Sequence, residues 1–276
     1  MTVSVLIPAH NEAAYLPRCL DAICASDPCE GKVEVIVMAN GCSDETAALA
    51  RSYQSACRDR NWDLHVLDIA EGGKLNALNQ GDQIATGDVL IYVDADVVVA
   101  PQLMGQLASA LDGDVARYGS GTPCVTTQAK GISAAFTRFW LTTPFMTQGV
   151  SGFGVFAMNR AGRNRWGAWP RIISDDTFAR LHFAPEERVA VPASFDWPMI
   201  EGFAALVKVR RRQDEGVAEI IQRYPQLLEN EDDYAKARPL WHRAVKDPIG
   251  FVSYLIVRVT VRLPVLQSGS KWARGR

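Results

Sequence analysis

Short apolar runs alternate with apolar positions at helical spacing over the first hundred residues of the chain. Runs rich in β-branched residues predict strands at residues 3–7, 33–38, 64–69 and 89–93. Between the first two runs, Leu and Ile recur on one side of a predicted helix at residues 13–24. Helical patterns also follow the second and third strands. This alternation predicts a parallel sheet that is covered by helices on both faces.

The second half of the chain has a less regular pattern. Helices are predicted at residues 103–111, 132–145, 175–183 and 201–224, and strands at residues 115–125 and 152–158. The sequence holds no low-complexity linker and no internal repeat. We therefore expect one continuous domain over residues 1–239, followed by an appendage over residues 240–276.

The appendage is basic and partly apolar. Asp247 is its only acidic residue. Its basic residues are Arg243, Lys246, Arg258, Arg262, Lys271, Arg274 and Arg276. The apolar run at residues 249–257 and the valines after it fit a helix and a strand equally well. Such a segment can lie on an anionic membrane surface, or it can be a last core element with a solvated polar side.

Composition narrows the class of protein. The 276 residues are 48% hydrophobic and 22% charged, as in an ordinary globular protein, and the net charge of -2 gives no sign of a nucleic-acid binder. The six cysteines form no CxxC pair, so we expect no zinc site and a reducing, cytoplasmic compartment. We find neither a signal-peptide pattern nor an apolar stretch of membrane-spanning length.

Two carboxylates, Asp94 and Asp96, follow the predicted strand at residues 89–93. Ligands of open parallel sheets bind beyond the carboxyl ends of the strands. Mg²⁺ and Mn²⁺ take oxygen ligands, and they often use only one or two protein carboxylates besides water and phosphate. The pair is therefore a candidate site for Mg²⁺ or Mn²⁺, although an Asp here could also cap a following helix.

Polar residues follow the other predicted strands at the same edge of the sheet. The first strand leads to residues 8–12, the second to residues 40–44 and the third to residues 72–74. Each segment alone could be a turn with helix-capping residues. Together they predict a nucleotide-diphosphate pocket, in which Lys74 and a metal ion face the phosphates.

Four motifs occur in order within this region: VLIPAHNE at 5–12, NGCSDET at 40–46, GKLNALN at 73–79 and VDAD at 93–96. They resemble the inverting family 2 glycosyltransferases of GT-A fold. The resemblance is strong over roughly residues 3–100 and continues to about residue 215. It implies an α/β fold with a GT-A-type mixed, mostly parallel sheet flanked by helices, to which this chain adds a basic amphipathic C-terminal appendage.

The resemblance also implies roles for single residues. Positions that hold the nucleotide sugar are Pro8, Ala9, Glu12, Asn40, Lys74, Asp94 and Ala95. Asn40 stands where many members have Asp, so base recognition is expected to differ. Asp94 and Asp96 match the metal positions, and Arg211 and Arg212 resemble the late basic motif that grips the diphosphate. From the residues alone, those arginines could also be a solvated helix face.

The catalytic and acceptor positions come from the same resemblance. Asp175 and Asp176 match the family's Glu-Asp pair, whose second acid is the general base, so Asp176 is the candidate base. The first acid is shortened here to Asp175, which is assigned to the acceptor together with Gly152 and Phe153. From the residues alone, Asp176 could also be a first-turn acid that favours the helix macrodipole.

The implied activity is transfer of one hexose from a nucleotide diphosphate sugar to a saccharide or a polyprenyl-diphosphate-linked acceptor. UDP is expected as the donor nucleotide in preference to GDP. The Gln-Arg-Trp signature of processive synthases is missing, which favours a single-transfer, exopolysaccharide-type member. The enzyme is expected in the cytoplasm or peripherally on the inner face of the membrane. Two alternatives stay open: a nucleotide-sugar-binding protein without activity, and a sugar nucleotidyltransferase. Oxidoreductases and P-loop NTPases are disfavoured because their glycine-rich loops do not follow the first strand.

Overall fold

The computed structural model describes residues 1–126, 130–234 and 239–263, which form one mixed sheet flanked by helices. The strands are β1 (Thr2–Ala9), β2 (Lys32–Asn40), β3 (Asp63–Ile69), β4 (Val89–Val93), β5 (Val98–Val99), β6 (Tyr118–Thr126), β7 (Val155–Asn159) and β8 (Arg188–Pro198). Their order in the sheet is β3-β2-β1-β4-β7-β6-β8-β5. The first four strands in this order, β3, β2, β1 and β4, pair in parallel, as do β6 and β8. Strand β7 pairs antiparallel with its neighbours β4 and β6. The predicted fold class is confirmed.

Helices connect the strands and cover the sheet. They are α1 (Leu16–Cys24), α2 (Thr46–Ser52), α3 (Gln54–Asp59), α4 (Lys74–Ile84), α5 (Leu103–Leu111), α6 (Ile132–Trp140), α7 (Pro144–Thr147), α8 (Arg160–Arg163), α9 (Asp175–Leu181), α10 (Phe203–Arg223), α11 (Leu240–Lys246) and α12 (Pro248–Arg262). Short 3-10 segments lie at Pro185–Glu187 and Pro225–Asn230.

The sheet separates two hydrophobic cores. Because alternate strand residues point to opposite faces, Val5 and Ile7 of β1 enter one core and Leu6 enters the other. Helices α1 and α5 contribute to the first core, and α4 and α9 contribute to the second. The helices that carry polar residues to the strand ends are thereby fixed against the sheet.

Some predicted boundaries differ from the structure. The first helix begins at Leu16 and not at residue 13, because the chain first makes a turn in which Glu12 accepts backbone hydrogen bonds. The helix predicted at residues 132–145 is broken ahead of Pro144, which begins α7. Strand β8 was not predicted, although alternate apolar residues from Val189 to Trp197 are a strand signal.

The described part of the appendage consists of two helices that pack on the rest of the molecule. Val257 and Val261 of α12 are buried in a third core, together with residues of α6 and α10. Asp247 caps α12 through the Gly250 N–H at 2.9 Å and pairs with Arg138 of α6 at 2.8 Å. The segment is therefore helical. Residues 264–276, including the predicted basic positions Lys271, Arg274 and Arg276, lie outside the described residues.

Among the described residues, the helices are too short or too polar to span a bilayer.

Candidate active site

A cleft of about 520 Å³ opens at the edge of the sheet where β1, β2 and β4 end. Its walls also include the first turns of α4 and α9 and one face of α10. The sequence-predicted site residues that line it are Pro8, Glu12, Asn40, Lys74, Asp94, Ala95, Asp96, Phe153, Asp175, Asp176 and Arg212. The fold thus brings together polar residues that are far apart in sequence, as the parallel topology predicts.

Lys74 links the two acidic parts of the cleft. It is the first residue of α4, and its Nζ lies 2.9 Å from Oδ1 of Asp94 and 2.9 Å from Oδ2 of Asp175. Burial by itself would lower the pKa of Lys74, but the carboxylates of Asp175 and Asp94 outweigh burial and raise that pKa. Lys74 therefore stays charged across the physiological range and partly neutralises the acids.

Asp176 has the electrostatic environment of a general base. Burial, reinforced by the neighbouring Asp175 carboxylate, raises the pKa of Asp176 from 3.8 to about 6, while Lys74 acts in the opposite direction. Its Oδ1 accepts a hydrogen bond from the Thr177 N–H at 2.7 Å. A carboxyl group with a pKa near neutrality can accept a proton at neutral pH and later release it to water.

Asp175, which is predicted to face the acceptor, lines the cleft and forms an ion pair there. Asp175 is only 5% exposed, and its carboxylate forms an ion pair with Lys74. Although Asp175 lines the cleft, its position makes it a counter-ion that holds Lys74 between α9 and β4.

The Asp94–Asp96 turn is fixed by the backbone. The Asp94 N–H donates to the Gly154 carbonyl at 2.9 Å, and the Val97 N–H donates to the Asp94 carbonyl at 3.0 Å. Gly154 has φ +74°, and a Cβ there would lie 2.8 Å from Cδ1 of Trp197. Glycine is therefore required where this loop supports the two carboxylates.

The carboxylates of Asp94 and Asp96 fit a hard divalent cation. Both line the cleft, and oxygen donors suit Mg²⁺ or Mn²⁺. Over the described ranges, however, no group of three or more His, Cys, Asp or Glu residues forms a metal cage. A cation here would take its remaining ligands from water and from the phosphates of a bound nucleotide, as Mg²⁺ commonly does.

Asn40 lines the cleft, but its side chain already holds the strand ends together. Its Nδ2 donates to the carbonyls of Ala9 at 2.9 Å and Met38 at 3.3 Å, and its Oδ1 accepts from the Gly73 N–H at 2.9 Å. The amide cross-links β1, β2 and the loop before Lys74. An aspartate could not donate either of the first two hydrogen bonds.

The two arginines predicted to bind the diphosphate have different positions. Arg212 lines the cleft. Arg211 instead donates to three carbonyls at the end of α12, from Nε to Val261 at 3.0 Å and from Nη2 to Thr260 at 3.2 Å and Leu263 at 2.8 Å. Since a cationic side chain at these carbonyls caps a helix, we assign Arg211 a structural contact with α12.

Two other predicted site residues, Ala9 and Gly152, do not line the cleft themselves. Ala9 is buried in the core, and its carbonyl accepts the hydrogen bond from Asn40. Gly152 has φ +72°, and a Cβ at this position would collide with the hydroxyl group of Tyr118. Both residues thus shape the backbone around the cleft.

The lining also includes Trp197 of the unpredicted strand β8 and Gln213 of α10, which were not among the predicted site residues. The Trp197 and Phe153 rings meet edge to face with centroids 4.9 Å apart. Both rings line the cleft and give it an apolar part beside its carboxylates. Recognition of β8 from its alternating pattern would have placed Trp197 near a strand end.

The chain is similar to known proteins in sequence and in fold. A model of glycosyl transferase family 2 matches residues 4–146, which is more than half of the chain. Glycosyltransferase AglE of Haloferax volcanii is 32% identical over 111 residues, which cover 40% of this chain and 36% of AglE. The chain thus matches only about a third of the length of this curated relative.

Solved structures share the fold. The mannosyltransferase PcManGT from Pyrobaculum calidifontis, in complex with GDP-Man and Mn²⁺, superposes with a TM-score of 0.61 at 20% identity, covering 93% of this chain and 74% of that chain. S. aureus TarS 1-349, in complex with UDP-GlcNAc, gives a TM-score of 0.54 at 14% identity, covering 95% and 92%. The family match over more than half of the chain shows that this protein belongs to glycosyl transferase family 2.

Proposed function

We propose that this glycosyltransferase moves one hexose from a nucleotide diphosphate sugar to a hydroxyl group of a lipid-linked or saccharide acceptor. The preferred donor nucleotide is UDP rather than GDP, and the configuration at the anomeric carbon is inverted. The observation that carries the proposal is Asp176, a carboxyl group with a pKa of about 6 in a cleft that also holds Lys74, Asp94 and Asp96.

The donor occupies the strand-end side of the cleft in this proposal. Pro8, Glu12 and Ala95 line that side, and Lys74 and Arg212 supply positive charge for the diphosphate. PcManGT with GDP-Man and TarS with UDP-GlcNAc support a nucleotide-sugar donor for this fold. Because Asn40 is committed to strand carbonyls, we do not assign base selection to its side chain.

Asp94 and Asp96 would hold Mg²⁺ or Mn²⁺ together with the donor phosphates. When bound, the cation neutralises negative charge on the leaving diphosphate. PcManGT, whose structure contains Mn²⁺, supports this cofactor class. Lys74 keeps the Asp94 carboxylate in place at 2.9 Å and adds a second, fixed positive charge.

The acceptor approaches the anomeric carbon from the side opposite the diphosphate. Its hydroxyl oxygen forms the new bond to C1 while the bond from C1 to the diphosphate oxygen breaks and its electron pair leaves with the diphosphate. Asp176 takes the hydroxyl proton as the bond forms, and attack from the opposite face inverts the configuration. Phe153 and Trp197 offer aromatic faces on which an acceptor sugar can stack.

We further propose that the acceptor is a polyprenyl-diphosphate-linked saccharide of cell-surface polysaccharide synthesis, and that transfer takes place on the cytoplasmic side. The six free cysteines support a reducing compartment.

The first test is donor binding. Wild type and Asp96→Ala are screened for thermal stabilisation and sugar release with UDP-, GDP- and dTDP-sugars in Mn²⁺, Mg²⁺ and EDTA. We expect one nucleotide sugar to stabilise wild type only with metal, and Asp96→Ala to lose this effect. Asp112→Ala is the matched control, because Asp112 is an exposed acid at the end of α5.

Two results would overturn parts of the proposal. If no nucleotide sugar binds under any metal condition, the donor pocket is wrong. If a nucleotide sugar binds and Asp176→Asn transfers sugar as fast as wild type, Asp176 is not the base. Binding without turnover for every acceptor tested would favour a nucleotide-sugar-binding protein.

A further inference from the structure

The two C-terminal helices expose an unusual set of side chains. We call this set the apolar outer face; it comprises Leu240, Trp241, Val245, Ile249, Val252, Leu255, Ile256, Val259 and Leu263. Val245 is 76% exposed and Ile249 is 70% exposed. Scattered apolar residues on a surface are normal, but a contiguous apolar set of this size marks an interaction site.

The spacing shows that the α12 part of the outer face is one continuous stripe. Ile249, Val252, Ile256, Val259 and Leu263 follow one another at intervals of three and four residues, so they share one side of α12. The opposite side, which includes Val257 and Val261, is buried against α6 and α10. A helix on the surface of a globular protein normally turns a polar side outward. Here both sides of α12 are apolar.

Cationic residues flank the outer face. Lys246 and Arg262 are exposed, whereas Arg243 packs over the Phe139 ring of α6. Asp247 is the only acid between residues 239 and 263, and it is paired with Arg138 at 2.8 Å. The sequence after residue 263 adds three more basic residues and no acid. Trp241 of α11 is 67% exposed and lines an apolar hollow together with Val245 and Pro248, the first residue of α12.

We propose that the apolar outer face binds an anionic lipid bilayer, with its aliphatic side chains in the acyl-chain boundary and its cations among the headgroups. An amphipathic helix with basic flanks and an exposed Trp has the chemistry of such an interfacial element. A symmetric pair with a second copy is disfavoured, because it would bring the same uncompensated cations together.

The position of the outer face connects the bilayer to the acceptor side of the cleft. Val257 and Val261 share a core with Phe153, which lines the cleft. The bilayer would thus lie roughly one helix diameter, about 10 Å, from that core. A lipid-linked acceptor would then extend only its saccharide into the cleft. This last step rests on the proposed transfer reaction, whereas bilayer binding itself does not.

Vesicle flotation of the full chain tests the proposal. The vesicles contain phosphatidylcholine alone or phosphatidylcholine with phosphatidylglycerol, and the variant is Ile249→Asp with Val252→Asp. Removing two apolar groups and adding two charges should lower binding to anionic vesicles at least tenfold. Val115→Asp is the matched control, because Val115 is also 70% exposed but lies in the loop before β6. It should bind like wild type.

A second variant tests the electrostatic contribution to vesicle binding. Lys246→Glu with Arg262→Glu should weaken binding to anionic vesicles several-fold and leave the weaker binding to neutral vesicles unchanged. Thermal unfolding confirms that each variant is folded, and stabilisation by a nucleotide sugar reports the donor site independently. The proposal fails if folded wild type does not bind anionic vesicles. It also fails if light scattering shows a dimer that Ile249→Asp separates.

Discussion

Replacing Asp176 by Asn should make the protein more stable and nearly inactive at the same time. The pKa of Asp176 is raised from 3.8 to about 6 in the folded protein, mainly by burial. The folded state therefore holds the proton more tightly than the unfolded state does. Below about pH 4 both states are protonated, and the group has no effect on stability. As the pH rises from 4 to 6, only the unfolded state gains by ionising, so stability falls; above pH 6 the loss is complete.

The magnitude follows from the two pKa values. A difference of 6 minus 3.8 is about 2 pKa units, and each unit corresponds to about 1.4 kcal/mol. We expect Asp176→Asn to exceed wild type in free energy of unfolding by about 2–3 kcal/mol at pH 8, and by almost nothing at pH 4. Asn keeps the shape of the protonated acid and can still accept the hydrogen bond from Thr177.

Urea denaturation at pH 4 and pH 8, together with sugar transfer, checks this prediction. Transfer by Asp176→Asn should fall by about 10²–10⁴-fold, and wild-type kcat/KM should decline below an apparent pKa of about 6. Asp175→Asn is the matched control, because it loses the pair with Lys74 and should be less stable at pH 8. If Asp176→Asn gains no stability at pH 8, the carboxylate is not destabilised by its environment and the reasoning is wrong.

Four further substitutions separate structural from functional roles. Gly152→Ala should lower the free energy of unfolding by more than about 1 kcal/mol, measured by urea denaturation, because of its positive φ and the clash with Tyr118. Arg211→Ala should lower thermal stability but keep the donor KM, whereas Arg212→Ala should raise the donor KM in steady-state kinetics. Asn40→Asp should destabilise by about 1–3 kcal/mol, seen as a lower Tm, because two buried carbonyls lose their donor.

Much of the first half of the fold could be predicted because its signals are local. Each strand from β1 to β4 is a short apolar run, and parallel pairing of such strands places the residues after them at one edge. Pro8, Lys74 and Asp94 therefore meet in the cleft as expected. The four motifs and their order also predicted glycosyltransferase family 2, and the family match confirms this prediction.

The partners of charged side chains could not be predicted in the same way. Lys74 pairs with Asp175, which lies 101 residues later, and Arg211 reaches carbonyls about 50 residues later. Nothing local distinguishes Arg211 from Arg212; only the packing of α10 against α12 turns one to the helix end and the other to the cleft.

The C-terminal segment shows how packing resolves an ambiguous pattern. Val257, Val259 and Val261 would share one face of a strand. In the structure Val257 and Val261 are buried, whereas Val259 is 56% exposed, as a helix requires. The spacing of the valines permitted both structures, and the fit against α6 and α10 selected the helix.

Both ends of α12 are tied to the rest of the molecule by arginines. Arg138 of α6 pairs with Asp247 at its beginning, and Arg211 of α10 bonds its final carbonyls. A helix held at two points cannot swing as a tether does. If α12 lies on a membrane, the cleft keeps a fixed distance and orientation relative to the bilayer. The enzyme then meets a lipid-linked acceptor by diffusion in the plane of the membrane.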